Sequence, residues 1–193
     1  MKLTKLLEKT EYTVVSGNVD IEVNELRYDS RKVTKGDVFV CISGAVVDGH
    51  DFITDVIAKG AAAVIVERDT DGIETADAAI IRTPDTRLAL AYMSAAFFDY
   101  PAEKLFTIGI TGTKGKTTTT FMVRDILEAC NIKTGLIGTI ETIIGDTHIP
   151  SANTTPESYM VQKYFRDMAD AGCRCVVMEV SSQALMLHRT QGF

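Results

Sequence analysis

The segment LFTIGITGTKGKTTTT, Leu105 to Thr120, decides how the second half of this 193-residue chain is read. An apolar, β-rich run ends at Thr111, Gly112 and Gly115 frame a short polar turn, and Lys116 opens an amphipathic stretch reaching Cys130. A buried strand, a glycine turn and a helix that starts at a lysine together turn backbone N–H groups and the positive helix end toward an anion. The usual phosphate-loop spacing, G-x-x-x-x-G-K-[ST], needs a glycine at position 110, where Ile110 stands. Gly112 is therefore expected to make the tight turn.

On this reading the backbone of Gly112, Thr113, Lys114, Gly115, Lys116, Thr117 and Thr118 binds the β- and γ-phosphates of a nucleotide. Lys116 adds its charge between the β- and γ-phosphates as the catalytic cation, and the Thr117 hydroxyl binds Mg²⁺. The bland alternative is a strand-to-helix turn with solvated lysines. Magnesium needs a second anchor, and Glu179, at the end of the apolar run CRCVVMEV, supplies one; the competing reading is an edge-strand glutamate in solvent.

Around the loop the pattern is strand, helix, strand, helix, strand. TGLIGTI (Thr134 to Ile140) and CRCVVMEV (Cys173 to Val180) read as strands, and PESYMVQKYFRDMADAG as a helix with Pro156 at its start. Such a series specifies a mostly parallel sheet covered on both faces. Residues 116–130 read as a helix whose inward face is expected at Phe121, Val123, Ile126, Leu127 and Cys130.

Upstream, VFVCI, AAVIVE and AAIIR read as strands within residues 26–82. DFITDVIAKG is a helix between the first two, with Phe52, Val56 and Ala58 turned inward and Gly60 at its end. TPDTRLALAYMSAAFFDYP is a further helix, capped near Thr83 to Asp85 and stopping before Pro101. The fold class is α/β, with an N-terminal α/β domain over residues 1–104 and a parallel-sheet P-loop ATPase domain over 105–193. Three strands are few for such a sheet, so the second domain is expected to be truncated.

The net charge of −6 lacks the basic footprint of a nucleic-acid binder. Neither a signal peptide nor an 18-residue apolar run is found, so a cytoplasmic chain without membrane insertion is expected. Cys41, Cys130, Cys173 and Cys175 are expected to be reduced and buried, and C-x-C spacing predicts no structural metal.

Four segments in order resemble the Mur ligase family, most closely its members that add the third residue of the peptidoglycan stem. The family's phosphate loop is T-G-T-N-G-K-T-T, without the early glycine; here it reads TGTKGKTT, with Lys114 in place of the usual Asn. DSRKVTKGDVFVCISGAVVDGHDFI resembles the uridine-binding domain, which implicates Tyr28, Ser30, Ala45, Val46 and Val47. NTTPE matches the segment that binds the muramoyl peptide, implicating Asn153, Thr154 and Thr155. MEVSSQALMLHR matches the segment in which Glu179 binds Mg²⁺ and Ser181 and Arg189 contact substrate; Gln183 and Leu187 depart from the family pattern. Taken singly, DSR also reads as a surface turn, NTTPE as a helix start capped by Thr155, and Arg189 as a solvated charge.

The resemblance implies an ATP- and Mg²⁺-dependent amide ligase of cell-wall synthesis that acts on UDP-MurNAc-L-Ala-D-Glu and adds diaminopimelate or L-lysine. A monomer is expected, inactive over these residues alone. The alternatives are another Mur-type ligase, an NTPase switch, or a non-catalytic UDP-sugar-binding fragment.

Overall fold

The computed structural model describes residues 1–44, 46–70, 72 and 77–193. They divide into two compact units, Met1–Phe97 and Phe98–Phe193.

The first unit is a five-stranded sheet formed by β1 (Thr13–Ser16), β2 (Leu26–Arg27), β3 (Val38–Val40), β4 (Ala63–Val66) and β5 (Ala79–Arg82), ordered β1-β5-β4-β3-β2. Strands β2 to β5 run parallel, and β1 joins the β5 edge antiparallel. The runs VFV and AVIV are apolar throughout because both their faces are buried. One face sets Phe39, Cys41, Val64, Val66 and Ile80 against Ile53 and Val56 of helix α2 (Ile53–Ala58), which follows the short helix α1 (Leu3–Leu6) in the chain.

One expectation needs correcting here. The helix read over DFITDVIAKG begins as a 3₁₀ turn, Gly49–Phe52; Phe52 and Val56 pack on the core as expected, joined by Ile53 and Ile57, while Ala58 is exposed. Helix α3 (Thr86–Phe97), with the Asp85 carboxylate accepting from Leu88 N, buries residues on most of its faces, including Ala89, Leu90, Met93 and Ala96.

The second unit carries β6 (Phe106–Ile110), β7 (Thr134–Ile137), β8 (Glu141–Ile144), β9 (Thr147–Pro150) and β10 (Cys175–Glu179), ordered β6-β10-β7-β8-β9. Strands β6, β10 and β7 are parallel. Strands β8 and β9 form an antiparallel hairpin closed by Gly145, at φ +57°, and Asp146. Helix α5 (Ser158–Asp170) lays Val161, Phe165 and Met168, spaced at four and three residues, onto Ile137, Val176 and Met178. Glu157, not Thr155, is its N-cap, so Pro156 stands before the helix rather than inside it.

The strand leading into the loop is not buried. Strand β6 is a sheet edge, and Phe106 is 71% exposed. Helix α4 (Lys116–Ala129) lies against β7 and β10 but fully buries only Thr120; Ile126 is 65% exposed and Cys130 is exposed, against the expectation for both. The four cysteines are free thiols, three of them buried.

Candidate functional site

Parallel pairing explains how two distant segments meet. Glu179 at the end of β10 is in register with Ile110 at the end of β6, so the carboxylate stands beside the turn that Thr111 begins. In that turn Gly112 has φ +149° and Gly115 φ +78°, the latter in a left-handed conformation that a side chain would strain. Gly115 caps α4 without a side-chain hydrogen bond, which leaves the first-turn N–H groups available to an anion. Lys116 Nζ donates to Gly112 O at 2.9 Å and Thr119 Oγ1 to Gly115 O at 2.9 Å, folding the loop over the helix start. Thr113, Lys114 and Thr118 are exposed around it.

Glu179 is wholly buried. Its Oε2 accepts from Thr117 Oγ1 at 2.9 Å and Thr139 Oγ1 at 3.1 Å, and its Oε1 from Thr139 N at 2.8 Å. A Cβ on Gly138 would lie 2.5 Å from Oε1, so the backbone of the turn after β7 closes directly on the carboxylate. No lysine, arginine or histidine among the described residues pairs with it. A buried carboxylate that is hydrogen-bonded but has no cationic partner suits a metal ion. The Thr117 hydroxyl, its proton taken by Glu179, keeps oxygen lone pairs for the same ion. Among the described residues no group of three His, Cys, Asp or Glu forms a metal cage. One carboxylate and one hydroxyl fit Mg²⁺, which keeps water and substrate phosphates as its other ligands.

The expected peptide-binding residues gather on the other side of Glu179. Thr154 Oγ1 is 3.0 Å from Thr139 Oγ1. Thr155 is buried; its hydroxyl donates to Glu179 O at 2.8 Å and accepts from Ser181 N at 3.1 Å, pinning the two segments together. Ser181 Oγ accepts from Ala184 N and caps α6 (Ser182–Met186). Arg189 donates to Thr155 O at 3.1 Å and stands 3.4 Å from Glu157. Asn153 is exposed on the preceding turn. Sequence reasoning missed Thr139, Gly138 and Glu157. The Gly-Thr pair closing TGLIGT was the available signal for the first two, because a glycine at a strand end marks close backbone approach.

In the first unit, Tyr28 and Ser30 follow the carboxyl end of β2, and Val46 and Val47 follow that of the neighbouring β3. This is the sheet edge at which open α/β sheets bind ligands. Ala45 lies outside the described residues. Val46 is 95% exposed and Val47 is 57% exposed, the larger hydrophobic presentation falling at the turn tip. Gly44 N donates to Val47 O at 3.0 Å, and a Cβ on Gly44 would meet that oxygen at 2.6 Å.

A polar scaffold supports this turn. His50 Nε2 accepts from Glu67 N at 3.2 Å, so its Nδ1 carries the proton donated to Asp48 Oδ1 at 2.7 Å. Asp48 also pairs with Arg68, and Glu67 accepts from Ser43 Oγ, Thr86 N and Thr86 Oγ1. Burial pushes the Asp48 carboxyl up, but hydrogen bonds from His50 and Arg68 outweigh it and bring the pKa down from 3.8 to about 2. Glu67 is lowered in the same way, burial opposing and Thr86 and Ser43 prevailing. The Arg31 guanidinium holds Asp29, beside Ser30, at about 2.

Carboxylates with lowered pKa contribute stability above their unfolded values and lose it as the pH falls through the folded ones. The first unit is therefore expected to hold constant stability from neutral pH down to about pH 5 and to weaken steadily below it. Urea midpoints across that range check this, and Asp48→Asn should flatten part of the slope.

The second unit therefore sets a strand, a glycine turn and a helix start beside a buried acidic strand end, and the first is an α/β sheet. The chain belongs to the Mur ligase family: residues 22–98 match the "Mur ligase family, catalytic domain" and residues 110–193 the "Mur ligase middle domain". It is 49% identical over its full length to a UDP-N-acetylmuramoyl-L-alanyl-D-glutamate--2,6-diaminopimelate ligase of Clostridium perfringens, of which it covers 39%. A solved structure of a ligase with the same name superposes over 100% of this chain and 38% of its own, with a TM-score of 0.81 at 23% identity. MurF ligase from Thermotoga maritima in complex with ADP aligns with 84% of this chain and 33% of its own, with a TM-score of 0.53 at 26% identity. The chain thus spans about two fifths of the curated relative's length.

Proposed function

We propose that residues 1–104 bind the uridine nucleotide and residues 105–193 the ATP of a ligase that joins diaminopimelate to UDP-MurNAc-L-Ala-D-Glu in the cytoplasm. The observation that carries this reading is the hydrogen-bonded series Thr117, Glu179, Thr139, Thr154, which links the phosphate loop to the NTTPE segment. The name of the Clostridium perfringens relative supports diaminopimelate over lysine, and the ADP in the Thermotoga maritima structure supports the nucleotide.

In the proposed chemistry the D-Glu carboxylate attacks the γ-phosphorus of ATP, the bond to the β-phosphate oxygen breaks, and ADP leaves an acyl phosphate. The amine of the incoming amino acid then attacks the acyl carbon, expels phosphate and loses a proton. Lys116 and the loop N–H groups stabilise charge on the phosphoryl oxygens as it moves. Thr117 and Glu179 would hold Mg²⁺, which would supply further charge neutralisation. Thr154, Ser181 and Arg189 orient the peptide end, and Tyr28, Ser30 and the 45–47 turn hold the uridine.

Separate calorimetric titrations with UDP-MurNAc-L-Ala-D-Glu and with an unhydrolysable ATP analogue test the reading. Saturable binding of both is expected. Binding of neither removes it, and nucleotide binding with indifference to the uridine compound returns the chain to the class of NTPase switches.

A further inference from the structure

We infer that Thr139, which lies outside the phosphate loop and the NTTPE and EVSS segments, is a positioning residue that sets the carboxylate of Glu179 for the cation. The inference rests on the proposed Mg²⁺-nucleotide site. Thr139 contacts both oxygens of Glu179, through its N–H to Oε1 at 2.8 Å and through its hydroxyl to Oε2 at 3.1 Å. A carboxylate held at one oxygen can swing about its terminal torsion, which is broad and twofold. Held at both, it has one orientation, and in it Oε2 faces Thr117 Oγ1. Gly138 removes the remaining freedom by bringing backbone to within contact of Oε1, where no side chain fits.

The proton order of the series follows from counting donors. Thr139 has one hydroxyl proton and two oxygen neighbours, Glu179 Oε2 and Thr154 Oγ1. An ionised carboxylate is acceptor-only, so the Thr139 proton goes to Glu179 and Thr154 must donate to Thr139. With its proton spent, Thr154 presents lone pairs alone to a bound substrate. It therefore receives a donor, such as a peptide N–H, and not the reacting carboxylate. Thr139 thus fixes what each of its neighbours offers: Glu179 a fixed acceptor for the cation side, Thr154 an acceptor for the peptide side.

The test compares the ratio of ATP-analogue affinities with Mg²⁺ and with EDTA in the wild-type chain, Thr139→Val and Thr139→Ser. Valine keeps the shape and the N–H but removes the hydroxyl; serine restores it. Partners that orient a metal ligand are worth roughly 10- to 100-fold in metal affinity, so valine is expected to cut the Mg²⁺ enhancement by about 10-fold and serine to retain it. Affinity in EDTA should hardly move in either variant, which a general packing defect would not reproduce. If valine prevents folding, Thr139→Ala serves in its place. An enhancement unchanged in the folded valine or alanine variant overturns the role of Thr139 and leaves the nucleotide site standing. An absence of Mg²⁺ enhancement in the wild type overturns both.

Discussion

Glu179→Gln is expected to abolish most of the magnesium dependence of nucleotide binding while leaving the second unit folded. The substitution keeps the side chain's size, so the strand pairing of β10 with β6 and β7 and the close approach of Gly138 are preserved. It changes what the group can accept. The carboxylate meets three donors, Thr117 Oγ1, Thr139 Oγ1 and Thr139 N, and a carboxamide must turn its NH₂ toward one side of that set. The mismatch costs about 1–3 kcal/mol, offset in part by removing a buried charge with no cationic partner. Loss of the carboxylate from the proposed cation position has no such offset. A drop in Mg²⁺-dependent affinity of roughly 100-fold, with a thermal midpoint only modestly changed, is the expected pair of results. A large fall in stability with magnesium dependence intact would make Glu179 a structural residue instead.

Lys116→Ala is expected to show the same balance even more clearly: almost no effect on stability and a severe one on phosphoryl chemistry. Its ammonium donates to Gly112 O at a solvent-exposed site, a bond that contributes little to folding. In the proposed complex that ammonium, at the first residue of α4, would exchange the Gly112 carbonyl for phosphate oxygens. Removing one preorganised electrostatic contact of this kind costs on the order of 100- to 1,000-fold in turnover. ADP release by a chain extended to the length of the curated relatives, assayed with the proposed uridine substrate, measures it. Activity within a few-fold of wild type would take the loop out of the mechanism.

These two residues also show what the sequence could disclose. Lys116 and Glu179 were both legible because each stands at the junction of a periodic segment and a turn, where an ionisable side chain has no ordinary packing role. The strands VFV, AVIV, AIIR and CVVME were legible for the complementary reason: runs of apolar, β-rich residues of that length are strands buried on both faces. The hairpin Glu141–Pro150 escaped because its alternation is interrupted by charged Glu141 and by His148, although Gly145-Asp146 between ETII and THIP is a hairpin turn signal. Apolar periodicity could not show that β6 is an edge or that Ile126 faces solvent, since it reports which side of an element is apolar and not whether another layer covers it. Thr139 was hidden for a further reason. It lies inside a run that reads as strand, and its significance comes from hydrogen bonds to a residue forty positions away, a relation that only the folded chain creates.

In the proposed site the loop at Thr111–Gly115 and Glu179 together receive a magnesium-bound triphosphate. Calorimetric titration of an unhydrolysable ATP analogue into the wild-type chain, once with Mg²⁺ and once with EDTA, tests this. Saturable binding is expected, at least about 10-fold tighter with the metal. Equal affinity in both buffers, or no binding in either, would contradict it.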